Sequence, residues 1–266
     1  MGWCTGSQHF FEIRDIRYKI QRYKIQRYKT DAEPFPWLVS LRSFVLHTKG
    51  SMKRKDSEAY IYDLINRLNS REPAGSSKKD IRWLAHREAE KLDDPAWYPV
   101  LESVIISNEG KENAEIRKGA YIIIERLLKN CFDQTYVDFL LRRAEYETDR
   151  DVLVSVLDAL SDVKVTGDSN ISGLIILADH PAWQIRFAAL RALGSFSTPE
   201  SKTALYGFLE RDRKKYKGEI VYAIASLGRI GTVDDIPALE KFLAVRIQDM
   251  RIAAEFAIGC IKERGM

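Results

Sequence analysis

The spacing of the histidines is the most direct indication of whether this sequence can form a metal-binding site. The four histidines are His9, His47, His86 and His180. None of them has another histidine three or four residues away, the spacing at which one helix face can hold two metal ligands. The sequence also contains no glycine-rich phosphate loop and no Gly-x-Ser-x-Gly nucleophile motif. We therefore predict a protein that is not an enzyme and that uses no metal or cofactor.

The cysteines and the hydropathy pattern indicate where the protein works. Cys4, Cys131 and Cys260 are far apart, which fits neither a disulfide framework nor a metal-binding motif. No apolar run approaches the roughly 20 residues that a membrane-spanning helix needs. The segment Trp37–Leu46 is too short for that purpose, and it contains Arg42. We predict a cytoplasmic protein that does not span the membrane.

Charge divides the chain into two parts. Residues 1–52 contain nine basic and four acidic residues, whereas residues 53–266 are close to neutral. The first part contains a tandem Arg-Tyr-Lys-Ile-Gln repeat at 17–26, which forms no continuous apolar helix face. We expect residues 1–52 to be a basic, disordered extension, with a hypothetical translation start at Met52. Nucleic-acid binding by its interleaved basic and aromatic residues is the alternative.

The strongest structural signal is the segment 179–194, DHPAWQIRFAALRALG. Pro181 suits the first turn of a helix, and Asp179 could accept hydrogen bonds from its free N–H groups. The segment is apolar on more than one face, so neighbouring elements must cover most of the helix. The small residues Ala188 and Ala189 would let another helix approach closely. This helix is therefore expected to be stacked between others.

The same pattern recurs along the chain. The segment 249–259 repeats it with Arg251 in place of Arg186, and the segment 218–228 lies between the two copies. The equivalent positions are residues 82, 117, 153, 186, 220 and 251, with spacings of 35, 36, 33, 34 and 31 residues. A period of this length is typical of stacked helix pairs. We predict twelve helices in six pairs, with Gly231 as a left-handed cap after the fifth pair.

These residues resemble the HEAT repeat family. The matching steps are Ile-Arg at 81–82, 116–117 and 185–186, Met-Arg at 250–251, and the Ala-Ala, Leu-Gly and Ile-Gly pairs that follow. The resemblance implies an all-α, right-handed superhelix of about six helix pairs over residues 53–266, whose second helices line a concave wall. Leu153 and Ile220 replace the arginine, and Glu125 replaces the glycine. We therefore expect any ladder of equivalent side chains to be interrupted.

The recurring arginines and the tryptophans are both expected to be structural. A guanidinium at the repeated position can bond a carboxylate or a carbonyl of the neighbouring repeat. These arginines are Arg82, Arg117, Arg186 and Arg251. Large aromatic side chains near helix starts usually fill the interfaces between stacked units. The tryptophans in question are Trp83, Trp97 and Trp183.

The resemblance leaves three other kinds of activity to weigh. HEAT-like deoxyhypusine hydroxylases hold two irons with His-Glu pairs, but this chain contains no His-Glu dipeptide. HEAT-like proteins of the DNA alkylation-repair type bind DNA, but residues 53–266 have no basic stripe for phosphates. HEAT-type phycobilin lyases hold a chromophore or a nascent subunit in the groove. The last two classes remain alternatives.

The function that the resemblance implies is that of a non-enzymatic scaffold. We expect a monomer that binds another protein along the concave surface, with nucleic acid as the alternative partner. The contacts should come from residues that break the apolar pattern of the second helices. These candidate partner-binding residues are Arg87, Lys118, Asp158 and Arg191.

Overall fold

The computed structural model describes residues 54–71, 80–165 and 169–265. These residues belong to one structural unit, Lys53–Met266. The extension predicted at 1–52 lies outside the described residues. Within the described part, the chain is helical, and its only β-type pairing is an isolated bridge between Val165 and Phe196.

Twelve α-helices follow one another in the described residues, as the repeat pattern predicts. They are α1 (Arg54–Leu68), α2 (Ile81–Ala89), α3 (Trp97–Ser107), α4 (Ala114–Asn130), α5 (Gln134–Tyr146), α6 (Arg150–Ser161), α7 (Ser172–Leu177), α8 (Trp183–Leu193), α9 (Pro199–Leu209), α10 (Lys217–Ile230), α11 (Ile236–Glu240) and α12 (Gln248–Gly265). Short 3₁₀ turns, Lys111–Asn113 and Val233–Asp235, precede α4 and α11. The start signal at Thr198 is confirmed, because its side chain accepts from the N–H of Ser201 and Pro199 opens α9.

The helices pack as six consecutive pairs. Each odd-numbered helix contacts the even-numbered helix that follows it. The even-numbered helices, called the second helices below, also contact one another in order from α4 to α12, and α2 contacts α4. An all-α solenoid of six helix pairs is therefore confirmed, and the six repeated positions fall on its six second helices.

Small residues let successive second helices approach closely. A Cβ atom on Gly194 of α8 would lie 2.7 Å from the Cβ of Ser226 on α10. A Cβ on Gly228 of α10 would lie 2.7 Å from the Cα of Ala257 on α12. At Gly259 of α12, by contrast, a Cβ would meet nothing within 4 Å. The repeated glycine therefore serves the contact with the next helix of the row, and Gly259 is on the last helix.

Two arginines form the ladder that the sequence predicts. Arg117 is buried and bonds both carboxylate oxygens of Glu147, each at 3.1 Å, in the next repeat. Arg186 bonds Glu219 in the next repeat at 2.7 Å. Each guanidinium also donates to carbonyls of the loop that precedes its own helix, such as Asn108 O at 2.6 Å. These arginines therefore tie a loop to its own helix and to the next repeat.

The ladder is interrupted, also as expected. Leu153 and Ile220 are buried apolar residues at the equivalent positions. Arg251 donates to Val245 O at 2.8 Å in its own repeat. Arg82 departs from the prediction, because it is exposed and makes no ion pair with any described residue.

One helix start differs from the prediction. The helix of segment 179–194 begins at Trp183, and its N-cap is Ala182. Asp179 does not cap it. Its two oxygens instead accept hydrogen bonds from Arg211, at 2.6 and 2.9 Å, which lies 32 residues further along the chain. The carboxylate that the local sequence predicts as a helix cap therefore forms an ion pair with a neighbouring repeat instead.

The prediction that Gly231 is a left-handed helix cap is also wrong. Its φ and ψ angles are −70° and 161°, so the backbone is extended and not left-handed. A Cβ at this position would lie 2.5 Å from the carbonyl oxygen of Leu227. Close approach of the backbone, and not handedness, favours glycine here.

The tryptophans divide into two kinds. Trp97 packs on Tyr60 with ring centroids 5.2 Å apart, and Trp183 packs on Phe187 at 5.3 Å. The contact of Trp97 joins α3 to α1, as the sequence predicts, whereas Trp183 contacts a residue of its own helix, α8. Trp83 does not pack as predicted, because 43% of its surface is exposed on α2.

Replacing Arg117 with alanine would leave the carboxylate of Glu147 buried without its cation. We expect Arg117→Ala to lower the free energy of unfolding by about 3–5 kcal/mol. The side chain of Arg186 is more exposed, so Arg186→Ala should cost about 1–3 kcal/mol. Urea denaturation measures both, and Arg82→Ala is the control, with an expected change below about 0.5 kcal/mol. Equal losses at Arg82 and Arg117 would contradict the structural role of the ladder.

The first helix pair is joined by a carboxylate whose protonation state should affect stability. Glu88 of α2 accepts hydrogen bonds from Arg67 at 2.7 and 3.1 Å and from Tyr60 at 2.7 Å, both on α1. The hydrogen bonds from Arg67 hold the pKa of Glu88 below its usual value, against the opposing effect of burial. A carboxylate with a lowered pKa stabilises the fold above its unfolded-state pKa, about 4.3. That contribution is lost as the pH falls through the folded-state pKa.

We expect Glu88→Gln to be less stable than the parent protein at neutral pH. The difference should shrink as the pH falls from about 5 to about 3, because the parent protein then loses the charge that the variant lacks. Melting temperatures across this pH range measure the effect. A difference that stays constant with pH would show that the Glu88 charge contributes nothing.

Candidate functional site

The four predicted partner-binding residues do not form one cluster. Arg87 bonds Glu90 of its own repeat at 2.7 Å, and its guanidinium lies 5.3 Å from the ring centre of Trp83. Lys118 bonds Glu115 on its own helix at 3.1 Å. Asp158 of α6 and Arg191 of α8 form an ion pair between neighbouring repeats. Of the four residues, only these last two are bonded to each other.

The Asp158–Arg191 pair belongs to a larger charged surface of the second helices. We call it the charged band, and it reaches from α2 to α10. Its members are His86, Glu90, Glu125, Arg126, Lys129, Asp158, Asp162, Arg191 and Arg229. Both acidic and basic residues come from α4 and acidic ones from α6, whereas α8 and α10 contribute only the arginines Arg191 and Arg229.

The N-terminal half of the band centres on Glu125 of α4. This carboxylate bonds Lys129 at 2.8 Å and Arg126 at 3.3 Å. Lys129 also bonds Asp162, at the end of α6, at 2.7 Å. Glu125 occupies the position that is glycine in the last three repeats. This difference from the repeat pattern is the sequence feature that could have identified the N-terminal half of the band.

The C-terminal half of the band connects three second helices. Arg191 of α8 pairs with Asp158 of α6, and its backbone carbonyl accepts from Arg229 of α10 at 3.4 Å. Arg229 also donates to the hydroxyl of Ser195 at 3.2 Å. Sequence reasoning missed Arg229 because its contacts lie 34 and 38 residues away.

Two guanidinium nitrogens in the band have no hydrogen-bond partner. The Nε atoms of Arg126 and Arg191 are buried, and neither donates to any atom of the described residues. An unsatisfied buried donor costs about 1–3 kcal/mol. Both arginines therefore sit in positions that are not optimised for stability of the isolated protein, which is common where a surface serves a function.

His86 is the titratable member of the band on α2. Burial lowers its pKa, and the positive charges of Arg126 and Arg82 lower it further, against the opposing charges of Glu90 and Glu125. The imidazole is therefore neutral at pH 7 and adds no charge to the band.

The described residues contain neither a cluster of metal ligands nor a membrane-spanning helix. Within 54–71, 80–165 and 169–265, no group of three or more His, Cys, Asp or Glu side chains is placed to hold a metal ion. In this part of the chain, no helix is both long enough and apolar enough to cross a lipid bilayer.

The ion pairs of the band are partly accessible to water, although the side chain of Glu125 is only 13% exposed. The side chains of Lys129 and Asp162 are 31% and 50% exposed, and those of Arg191 and Asp158 are 28% and 41% exposed. Pairs at such sites contribute between about 0 and 1 kcal/mol. The band therefore adds little to the stability of a row that is already held by its apolar contacts.

Comparison with known proteins agrees with this architecture. The family model for HEAT repeats matches residues 171–259, which run from α7 into α12. This match, together with the same packing in the other helix pairs, supports a HEAT-like repeat architecture. Among curated protein sequences, none matches this chain.

Several engineered proteins have similar structures. An engineered protein from a structural genomics consortium is 17% identical, with a TM-score of 0.41, over 77% of this chain and 97% of its own. A designed armadillo repeat protein is 14% identical, with a TM-score of 0.41, over 76% and 99% of the two chains. Another, in complex with the peptide (KR)4, is 14% identical, with a TM-score of 0.44 and the same coverage.

The small stabilising effect of the band can be measured with a double-mutant cycle. We expect Asp158→Ala, Arg191→Ala and the double variant to give a coupling energy of about 0.2–1 kcal/mol, because the pair is half exposed. Urea denaturation of the four proteins provides the measurement. A coupling of about 3 kcal/mol would instead assign the pair a mainly structural role.

Proposed function

We propose that this protein is a non-enzymatic scaffold that binds another protein through the charged band. It would act as a monomer in the cytoplasm. The observation that carries the proposal is that the band crosses five second helices without being needed to hold them together. Its ion pairs are half exposed, and two of its guanidinium groups keep buried donors without partners.

The arrangement of charge favours a protein partner. Nucleic-acid binding relies on several basic groups that neutralise successive phosphates. In the band, by contrast, Glu125 lies between Arg126 and Lys129, and Asp158 lies against Arg191. A surface of mixed sign complements a partner surface of mixed sign, which gives specificity and orientation.

The stacked architecture supports the same proposal. The apolar core fixes the positions of the second helices, and their exposed residues can then vary without loss of the fold. Because the band extends across several repeats, a partner could contact many half-exposed side chains at once. Each contact would be weak by itself, but their sum and geometry would select the partner.

The proposal can be tested by charge reversal within the band. The variant Lys129→Glu/Arg229→Glu changes two exposed band residues, and the matched control Arg142→Glu/Lys262→Glu changes two exposed residues outside it. We expect affinity purification with the full-length protein, followed by mass spectrometry, to give the same bound protein for the parent and the control. The band variant should retain at least about tenfold less of it.

Circular dichroism and the melting temperature confirm that each variant is folded. If the band variant and the control lose the bound protein equally, net charge and not the band is responsible. Salt-dependent binding of duplex DNA that is abolished by the band variant would also overturn the proposal.

A further inference from the structure

A second charged surface lies on the loops that join the first helix of each pair to the second. We call this the loop edge, and it consists of residues 108–113, 147–149, 178–182, 210–216 and 241–247. Consecutive loops contact each other directly at its C-terminal end. Arg211 bonds Asp179 at 2.6 Å, and the guanidinium of Arg213 lies 5.3 Å from the ring centre of Phe242.

The charge of the loop edge changes sign along the stack. Its first three loops contain one basic residue and five acidic residues: Lys111, and Glu109, Glu112, Glu147, Asp149 and Asp179. Its last two loops contain six basic residues and two acidic residues: Arg211, Arg213, Lys214, Lys215, Lys241 and Arg246, and Glu210 and Asp212. Since residues 53–266 are nearly neutral as a whole, this polarity is a local property of the loops.

Three of the six cations in the last two loops make neither an ion pair nor a ring contact with any described residue. Arg211 is paired with Asp179, whereas Lys214, Lys241 and Arg246 make no ion pair with any described residue. Both Lys214 and Arg246 are exposed. We call the five remaining cations the basic patch: Arg213, Lys214, Lys215, Lys241 and Arg246.

The patch is held in a defined conformation. Asp212 accepts hydrogen bonds from the backbone N–H groups of Lys214 and Lys215, at 3.0 and 2.7 Å. In this turn, the nearest carboxylate accepts hydrogen bonds from backbone N–H groups, and two lysines extend from the loop. The stacking of Arg213 on Phe242 brings the two loops together. The two loops are therefore ordered before any partner binds, so binding loses little further conformational entropy there.

We propose that the basic patch docks an acidic segment of a partner protein. Five cations, accompanied by two acidic residues that both lie in the 210–216 loop, complement a run of carboxylates. Aromatic rings near the patch are not free to stack on bases, because Phe208 and Phe242 are buried and Tyr216 lies against Arg211 and Lys215. A single-stranded nucleic acid would need such rings. The observations therefore favour the acidic peptide.

This inference concerns a different surface from the charged band. A partner could use both, with its acidic segment at the loop edge and its mixed-charge surface on the second helices. The test below uses a defined peptide, so its result does not depend on whether the band binds anything.

The experiment is carbodiimide cross-linking of an octaglutamate peptide to the full-length protein. Carbodiimide joins a carboxylate to a lysine amine only where the two are in contact, so mass spectrometry maps the site directly. At low ionic strength, about 0.01 M, where screening is weak, we expect cross-links at Lys214, Lys215 and Lys241. The exposed residues Lys91 and Lys262 should remain unmodified and serve as internal references.

A matched pair of variants tests the cooperation between the two loops. In Lys214→Glu/Lys215→Glu, the cross-link at Lys241 should fall about tenfold, because two attractive contacts become repulsive. In Arg142→Glu/Lys262→Glu, which has the same net charge, the Lys241 cross-link should be unchanged. Circular dichroism confirms that both variants are folded.

Two results would overturn the proposal. In the first, cross-links are spread over the exposed lysines, or Lys241 reacts equally in both variants. In the second, oligothymidylate competes with octaglutamate for the patch and suppresses the cross-links when its phosphates are less concentrated than the peptide carboxylates. That result would assign the patch to nucleic acid.

Discussion

The close contact between successive second helices is the constraint on which the rest of the structure depends. The second helices from α4 to α10 bury apolar residues against a neighbouring second helix on each side. Gly194 against Ser226 and Gly228 against Ala257 show how little room those contacts leave. Ser226 also donates a hydrogen bond to Leu190 O at 2.8 Å, so the contact is directional as well as tight. The repeats therefore stack in order along the chain.

This packing determines where charge can be tolerated. Arg117 is buried because Glu147 and two loop carbonyls satisfy its donors, and the same arrangement serves Arg186 with Glu219. Where no arginine is present, Leu153 and Ile220 fill the interface instead. Among the described residues, the buried side chains of Arg117, Glu219 and Asp235 each have a partner of opposite charge, as the cost of desolvation requires. The other charged residues of the described chain lie at exposed or partly exposed positions on both kinds of helix and in the loops.

Those exposed charges are arranged in two different ways. In the charged band, acidic and basic residues are interspersed, as in the pairing of Arg191 with Asp158. Along the loop edge, the signs are separated, with acidic loops in the early repeats and basic loops in the last two. A surface of interspersed charge has a weak long-range field and favours a partner that fits at close range. A segregated surface has a stronger local field and can orient a charged segment before contact.

The sequence by itself determined the helix pairs, because burial on a helix imposes a period that is visible in one chain. The recurrence of Arg186 and Arg251 with the small residues that follow them predicted the row of second helices. The tertiary structure alone decided which charges meet. Asp179 bonds Arg211 instead of capping its own helix, and Lys129 reaches Asp162 in the next repeat. Such partners lie about one repeat away in sequence, and only the geometry of neighbouring helices brings them together.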